Sequence, residues 1–192
     1  KTDDAVLPDG ISKKDLIEKI EQAKSSIVDG REYVDLISDL IGAKRSKEYL
    51  ILFQNPSEIR ATGGFVGSYG IVKLDDGKIK KILVDDIFNP DGQLRERIVP
   101  PFPIQKISTA WSMHDANWFF DFPTSAKKVA WFYEKTGGPS VDAVITLNPF
   151  VIERLLDLTG PIEMPEYDTV IVSENFVDAI QYEVEEGDNK KE

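Results

Sequence analysis

The feature that most constrains the fold is an Asp-Asp-Gly turn at residues 75–77, which joins two stretches that alternate between apolar and polar residues. The alternation begins with Ile71 and Lys73 before the turn and continues as KIKKILVDDIF after it. An Asp-Gly turn between two such stretches is typical of a β-hairpin, whose strands are antiparallel. The sequence therefore predicts a sheet that contains an antiparallel pair.

Strand and helix patterns alternate along the rest of the chain. The apolar run EYLILFQN at residues 48–55 predicts a strand buried on both faces, and residues 141–148 predict another strand. The segment that follows has Pro149 at its start and Gly160 at its end, where these residues usually delimit a helix. This alternation predicts an α/β fold of αβα layers, in which helices flank a mixed central sheet that contains the β-hairpin.

The first 47 residues have the pattern of a helical segment. Ser12 fits an N-cap, apolar residues then recur at helical spacing, and Gly30 fits a C-terminal stop, so we expect two helices that are separated at Gly30. A spacer from an upstream membrane anchor would have the same pattern. The expected organisation is this segment at 1–47, a single α/β domain at 48–185 and a polar tail at 186–192.

Composition excludes several classes of function. The chain has 192 residues, no cysteine, one histidine (His114) and a net charge of −11. Cysteine nucleophiles, disulfides and thiolate zinc sites are therefore excluded. An acidic surface repels nucleic acids, and it also repels anionic membrane surfaces. A metal ion would have to be bound by oxygen ligands, as Mg²⁺ usually is.

The segment 59–70 (IRATGGFVGSYG) combines one arginine with four glycines, directly after the strand predicted at 48–55. Glycines allow the backbone to approach a ligand closely, and Arg60 can bind phosphate or carboxylate through two hydrogen bonds. The pattern is not a P-loop, because no Gly-Lys-Ser/Thr closes it, nor a dinucleotide fingerprint, because it leads into a strand. The alternative interpretation is a glycine-bulged strand with a surface arginine.

Asp85 and Asp86 end the return strand of the predicted hairpin. Carboxylates at strand ends occur both as metal ligands and as solvated ends, and adjacent strand residues point to opposite faces. We expect one of the two to belong to a site. Asp91, which follows Asn-Pro, fits a simple turn.

The segment 114–122 (HDANWFFDF) places aromatic residues between Asp115, Asn117 and Asp121. An apolar wall with oxygen ligands suits a sugar, a lipid head group or a hydrated divalent ion. The alternative is a loop whose aromatic residues cap the core and whose polar residues form turns. A single histidine without a serine nucleophile motif is not expected to form a catalytic triad, so His114 is interpreted as structural.

Three segments together resemble bacterial envelope proteins of the domain of unknown function 4012 family. The segments are LILFQNPSEIRATGGFVGSYG, HDANWFFDFPTSA and VDAVITLNPFVIERLLDLTGPIEMPEY, and they occur in the order typical of that family, within residues 48–185. The resemblance implies a domain outside the cytoplasm, anchored by an N-terminal transmembrane helix that this chain does not include.

That family is in turn distantly similar to the LytR-CpsA-Psr phosphotransferases. Those enzymes use magnesium to attach phosphate-linked glycopolymers from polyprenyl-pyrophosphate carriers to peptidoglycan, so the likeness implies an αβα fold with a lipid pocket below a charged mouth. Where they carry Arg-Ser-Asp-Thr and Pro-Arg-Asp runs, this chain reads GFVGSYG and VDDIF. Only Arg60 and the Asp85/Asp86 position therefore carry over from the family's catalytic residues.

Two main hypotheses of function follow. In the first, the domain binds a polyprenyl-phosphate-linked glycan or a related envelope ligand and, as an enzyme, transfers the phosphoryl-linked glycan to the cell wall. In the second, it is a non-catalytic module that binds a glycan, a lipid or a protein; a scaffolding role in an envelope assembly is a third possibility. The expected residues are Arg60, Asp85 and Asp86 for catalysis, Thr62, Gly63, Gly64, Ser68, Asn117 and Trp118 for ligand binding, and Asp115 and Asp121 for Mg²⁺.

Overall fold

The computed structural model describes residues 13–185 of the chain. The N-cap predicted at Ser12 and the polar tail predicted at 186–192 lie outside the described residues. The chain divides into two compact units. Of the described residues, one unit holds those up to Lys47 together with Leu74–Ile79, and the other holds Glu48–Lys73 together with those from Lys80 onward.

The described residues form five α-helices, six strands and three single 3₁₀ turns. The helices are α1 (Lys13–Leu40), α2 (Phe88–Asp91), α3 (Phe122–Lys135), α4 (Pro149–Thr159) and α5 (Phe176–Glu185). The strands are β1 (Lys47–Asn55), β2 (Phe65–Asp75), β3 (Lys78–Asp86), β4 (Ala143–Leu147), β5 (Ile162–Met164) and β6 (Thr169–Ile171). The 3₁₀ turns are Ile104–Lys106, Met113–Asp115 and Pro165–Tyr167.

The central sheet has four strands in the order β3-β2-β1-β4. β1 and β4 are parallel, and their paired residues run from Tyr49 with Ala143 to Phe53 with Leu147. β2 and β3 form the predicted hairpin, because the two residues between them, Asp76 and Gly77, both have positive φ, as a tight primed turn requires. The prediction of an α/β fold, in which helices flank a mixed sheet that contains a hairpin, is confirmed.

The core of the second unit lies between the sheet and α3. Leu50 and Leu52 of β1 are fully buried, and so is Phe132 of α3, whose ring meets that of Trp111 edge to face at 5.4 Å. Met113 is also fully buried. The 3₁₀ turn that carries Met113 is therefore anchored in the core, and the residues that follow it in sequence are fixed near the sheet.

The two helices predicted within residues 12–41 are one continuous helix, so the predicted break at Gly30 is wrong. α1 runs from Lys13 to Leu40. A glycine inside a helix costs only about 1 kcal/mol relative to alanine, and helix-forming residues continue on both sides of Gly30. The chain turns instead at Gly42, where φ is +76° and the backbone passes close to Leu74.

Candidate functional site

The loop between β1 and β2 positions Arg60. Two glycines shape this loop: Gly63 has a φ of +117°, and its N–H donates to the carbonyl of Arg60 at 3.2 Å. A Cβ atom on Gly64 would lie 2.4 Å from the carbonyl oxygen of Asn55. The strand end and the loop therefore approach each other more closely than any residue with a side chain allows.

Two buried amides hold the glycine loop from within. Nδ2 of Asn117 donates to the carbonyl of Gly64 at 2.8 Å, and Nε2 of Gln54 reaches the same carbonyl at 3.3 Å. Nε2 of Gln54 also donates to Oγ1 of Thr62 at 3.0 Å. Asn117 is 1% exposed. In this structure Asn117 and Thr62, both predicted to bind a ligand, support the loop that carries Arg60.

The guanidinium of Arg60 has three contacts within the protein, and its side chain is partly exposed to solvent. It lies over the ring of Phe65, with Cζ 5.0 Å from the ring centroid, and one of its terminal nitrogens donates to the carbonyl of Ile59 at 3.1 Å. Its Nε is 3.7 Å from Oδ1 of Asp115. The Arg60 side chain is 34% exposed to solvent. Arg60 is thus positioned, and part of its donor surface faces solvent.

His114 lies between two carboxylates. Its Nδ1 is 2.6 Å from Oδ2 of Asp91, and its Nε2 is 3.2 Å from Oδ2 of Asp115. The carboxylate of Asp91 is itself fixed, because its Oδ1 accepts from the backbone N–H of Met113 at 2.7 Å and its side chain is only 8% exposed. We call Arg60, Asp91, His114 and Asp115 the charged cluster.

The charged cluster holds two cations and two anions. Burial disfavours the charge on His114, but hydrogen bonds and negative charge from Asp115 and Asp91 outweigh it and raise the pKa of His114 to about 9. The hydrogen bond from His114 lowers the pKa of Asp115; burial opposes this effect, and the charges of His114 and Arg60 add to it. At neutral pH, Arg60 and the imidazolium therefore balance the two carboxylates, and the cluster has no net charge.

Two phenylalanines form an apolar surface beside the cluster. The rings of Phe88 and His114 are 5.1 Å apart, and those of Phe65 and Phe88 are 6.4 Å apart. Phe88 is 54% exposed. Because Phe65 also carries Arg60, a partly exposed cation adjoins an exposed aromatic surface.

The side chains of Asp85 and Asp86 accept hydrogen bonds in the turn at the end of β3. Oδ1 of Asp85 accepts from the backbone N–H of Asp86 at 2.8 Å and from Nδ2 of Asn89 at 2.5 Å. Oδ1 of Asp86 accepts from the backbone N–H of Phe88 at 2.7 Å. Both carboxylates are occupied by the turn that leads into α2, and their predicted catalytic role stays a prediction.

Asp121, predicted as a metal ligand, is the N-cap of α3. Its Oδ2 accepts from the backbone N–H of Thr124 at 2.9 Å and from the hydroxyl of Thr124 at 2.5 Å. Trp118 is 36% exposed, and Ser68 is half-buried on β2. Within residues 13–185 no group of three or more His, Asp or Glu side chains is arranged to hold a metal ion.

Two surface cavities have linings that contain no member of the charged cluster, although the larger one begins at Gly92, next to Asp91. The larger, of about 640 Å³, is lined by residues 92–95 and 134–137. The smaller, of about 410 Å³, is lined by side chains of α4 from Phe150 to Leu158. Neither lining contains Arg60, so the lipid pocket that the phosphotransferase likeness implies stays a prediction.

The sequence pattern found half of the charged cluster. Arg60 was predicted from its glycines and Asp115 from the aromatic segment, and the structure brings these two together. His114 was interpreted as structural and Asp91 as part of a turn, and no spacing signal links two residues that are 23 positions apart in sequence. Their pairing depends on α2 and the turn at Met113–Asp115 packing together, which only the fold determines.

These features define a class: a mixed α/β domain in which a glycine loop sets an arginine beside a buried His–Asp cluster. A family model described as "Protein of unknown function (DUF4012)" matches residues 44–184, well over half of the chain, and the chain belongs to this family, as the sequence resemblance predicted. Comparison with curated proteins and with solved structures found no match. No helix within residues 13–185 is both long and apolar enough to cross a membrane.

Proposed function

We propose that this domain is a non-catalytic binding module of the cell envelope that holds the phosphate group of a lipid-linked glycan. The observation that carries the proposal is Arg60: its guanidinium is fixed over Phe65 and beside Asp115, yet its side chain stays 34% exposed. An arginine whose rotamer is already ordered loses less entropy when it forms hydrogen bonds to an oxyanion.

The neighbours of Arg60 support an anion with an apolar portion. Asp115 is closer to Nε2 of His114, at 3.2 Å, than to Nε of Arg60, at 3.7 Å. The imidazolium therefore shares the carboxylate of Asp115 with Arg60, and the exposed part of the Arg60 side chain can still meet a ligand. The exposed ring of Phe88 offers apolar contact for the hydrocarbon of a lipid carrier. The envelope location and the upstream membrane anchor of the proposal rest on the sequence resemblance.

Transfer chemistry has little support in the cluster. A histidine with a pKa of about 9 is protonated at neutral pH and cannot accept a proton. The hydroxyl of Ser112 lies 3.0 Å from Nδ1 of His114, the atom that also meets Asp91, and Nε2 meets Asp115. Neither imidazole nitrogen is free to activate a nucleophile, so we place binding, and not glycan transfer, in this domain.

Magnesium does not fit the donor set around Arg60. Asp85, Asp86 and Asp121 have hydrogen-bond partners in their own turns, and Asp115 lies between two cations that would repel a divalent ion. The proposal therefore includes no step through magnesium. Binding of Mg²⁺ by this chain stays a prediction of the phosphotransferase likeness.

The proposal is tested with decaprenyl phosphate in micelles of a neutral detergent, using decaprenol as the ligand without phosphate. Calorimetry should detect binding of the phosphate and at least about tenfold weaker binding of the alcohol. Arg60→Ala should weaken binding of the phosphate to the level of the alcohol, and Arg60→Lys should restore part of it. Arg154→Ala is the matched control, because that arginine is 85% exposed on α4.

Two results would contradict the proposal. Equal affinity of wild type and Arg60→Ala for decaprenyl phosphate would remove Arg60 from the site. Transfer of a glycan from a polyprenyl-pyrophosphate carrier to peptidoglycan by the purified chain would show that the module is an enzyme, and would favour the first hypothesis drawn from the sequence.

A further inference from the structure

α1 presents an apolar stripe to solvent with the spacing of a coiled coil. Ile20, Ile27 and Val34 are seven residues apart, and Ala23, Gly30 and Ile37 each follow one of them by three residues. We call these six residues the seam. A seam of alternating three- and four-residue steps is the a/d pattern with which helices pack side by side.

The large residues of the seam are open in this structure. Ile20 is 57% exposed, Ile27 71%, Val34 65% and Ile37 55%. Isoleucine and valine are not the residues that helix propensity selects for exposed positions, where lysine, glutamate and alanine form helices better. Packing against another helix is a physical reason for β-branched residues at every a position.

Gly30 points to the same conclusion independently. It lies in the middle of α1, where a glycine weakens the helix by about 1 kcal/mol relative to alanine. A Cβ atom at this position would meet nothing within 4 Å, so no close neighbour in the described chain requires the glycine. A glycine at a seam position allows a second backbone to come close, as small residues do at helix–helix contacts.

The charges beside the seam define the partner. Lys19 directly precedes Ile20, Lys24 follows Ala23, and Arg31 follows Gly30, and all three are exposed. These are the g and e positions, whose charges select coiled-coil partners. The outer positions of the helix carry four acidic residues, Glu18, Glu21, Glu32 and Asp35, together with the exposed Val28 and Leu36. In a chain with a net charge of −11, basic residues are thus concentrated along the edges of the seam.

We propose that the seam binds an amphipathic helix of another protein whose e and g positions are acidic. A second copy of this chain fits less well in either direction. A parallel pair sets Lys19 opposite Lys24 of the other copy, and an antiparallel pair sets Lys24 opposite Arg31, and like charges at these positions oppose pairing. An anionic membrane is opposed by the acidic outer face, since membrane-surface helices carry lysine and arginine there.

The test uses the full chain and two four-heptad peptides, both with isoleucine at a and leucine at d. One peptide carries glutamate at every e and g position, and the other carries lysine. Fluorescence anisotropy should show at least about tenfold tighter binding of the glutamate peptide. The variant Lys19→Glu/Lys24→Glu/Arg31→Glu should reverse this preference, and Ile27→Asn should abolish binding of both peptides.

A control variant separates position from overall charge. Glu18→Lys/Glu21→Lys/Glu32→Lys changes three charges on the outer face and should leave the preference for the glutamate peptide within about threefold of wild type. Circular dichroism should show the same helix content in the wild type, in the two charge variants and in Ile27→Asn. Gly30→Leu should raise the helix content and still weaken the binding of the glutamate peptide.

Three results would overturn the proposal. The first is equal binding, or no binding, of the two peptides. The second is a dimer of the chain alone in sedimentation analysis that Ile27→Asn dissociates, which would make a second copy the occupant. The third is co-sedimentation of the chain with phosphatidylglycerol vesicles without binding of the glutamate peptide, which would make the seam a membrane-binding surface.

Discussion

At the scale of single residues, His114 controls the charge of the cluster around Arg60. The imidazolium shares a hydrogen bond with each of two carboxylates, and Asp91 is almost fully buried. Removal of the proton would leave Asp91 and Asp115 at the two nitrogens of a neutral ring, with only Arg60 to balance their charges. The cluster is therefore expected to be stable only while His114 is charged.

This coupling predicts a loss of stability at alkaline pH. The pKa of His114 is about 9 in the folded chain and near 6.5 in an unfolded one, so the folded state binds the proton more tightly. The stabilisation is complete below about pH 6.5 and is lost as the pH rises through 9; it amounts to on the order of 3 kcal/mol. Urea unfolding at a series of pH values measures it, and His114→Gln should flatten the profile in this window.

The titration itself can be followed directly, because the chain has one histidine and so one set of imidazole signals. Nuclear magnetic resonance should give a pKa near 9, and Asp91→Asn should lower this pKa toward 6.5. A pKa near 6.5 in the folded wild type would mean that the two carboxylates do not hold the imidazolium.

The residues of the charged cluster also show which parts of a site can be predicted from a single sequence. Arg60 was predictable because the glycines beside it are a local signal, and the φ of Gly63 shows that the loop requires one of them. Asp91 and His114 carry no local signal, since an aspartate after Asn-Pro forms turns in many chains. Their roles depend on which distant segment each one meets, and only the packed fold sets that.

At the scale of elements, the start of α3 gives a test that separates a cap from a metal ligand. Asp121 accepts from the backbone N–H of Thr124, one of the donors that the first turn of a helix leaves unpaired. Asparagine caps helices as well as aspartate does, and alanine does not. Asp121→Asn should keep the melting temperature within about 1 °C, and Asp121→Ala should lower it by about 2–4 °C.

Two controls complete this prediction. Asp157→Ala removes an aspartate from the last turn of α4, where its carboxylate pairs with the exposed Arg154, and should not lower the melting temperature. Melting of the wild type and of Asp121→Asn with and without MgCl₂ is the second control. Stabilisation of the wild type by Mg²⁺ that Asp121→Asn abolishes would identify Asp121 as a metal ligand after all.

Elements whose ends are marked by glycine or proline were predicted well. Elements that depend on pairing with another segment were not. The hairpin follows from its Asp-Gly turn, and α4 begins at Pro149 and ends before Gly160, where φ is +85°. Gly30 gave a false stop, because its φ is not positive and α1 continues through it. The pairing of β5 with β6 was not predicted, since three-residue strands carry too few residues to show alternation.

At the scale of the whole molecule, the buried core and the long helix are separate in sequence. All residues of the buried core cluster lie between Leu50 and Tyr133. Where their exposure is described, the side chains of α1 before Arg31 are exposed. An ion pair lies near the end of the first unit: Nζ of Lys47 is 2.7 Å from Oδ2 of Asp39, and the lysine side chain is 9% exposed while that of the aspartate is 45% exposed.

These facts predict how far the chain can be shortened. A fragment of residues 31–192 keeps Asp39 and should unfold cooperatively, with a melting temperature within about 3 °C of the full chain. A fragment of residues 44–192, which still contains the family match, loses Asp39, the carboxylate that pairs with Lys47 in the full chain. Its melting temperature should be clearly lower, because an uncompensated buried charge is strongly destabilising.

The substitution Lys47→Met tests whether the unpaired lysine causes the difference in melting temperature between the two fragments. In the fragment 44–192 it removes the buried charge and keeps a side chain of similar length, so it should restore most of the lost melting temperature. In the fragment 31–192 the same substitution should have a much smaller effect, because Asp39 there compensates the lysine. Differential scanning calorimetry on both fragments, each with and without Lys47→Met, measures these melting temperatures. If Lys47→Met does not stabilise the fragment 44–192, the missing ion pair is not the cause of its lower melting temperature.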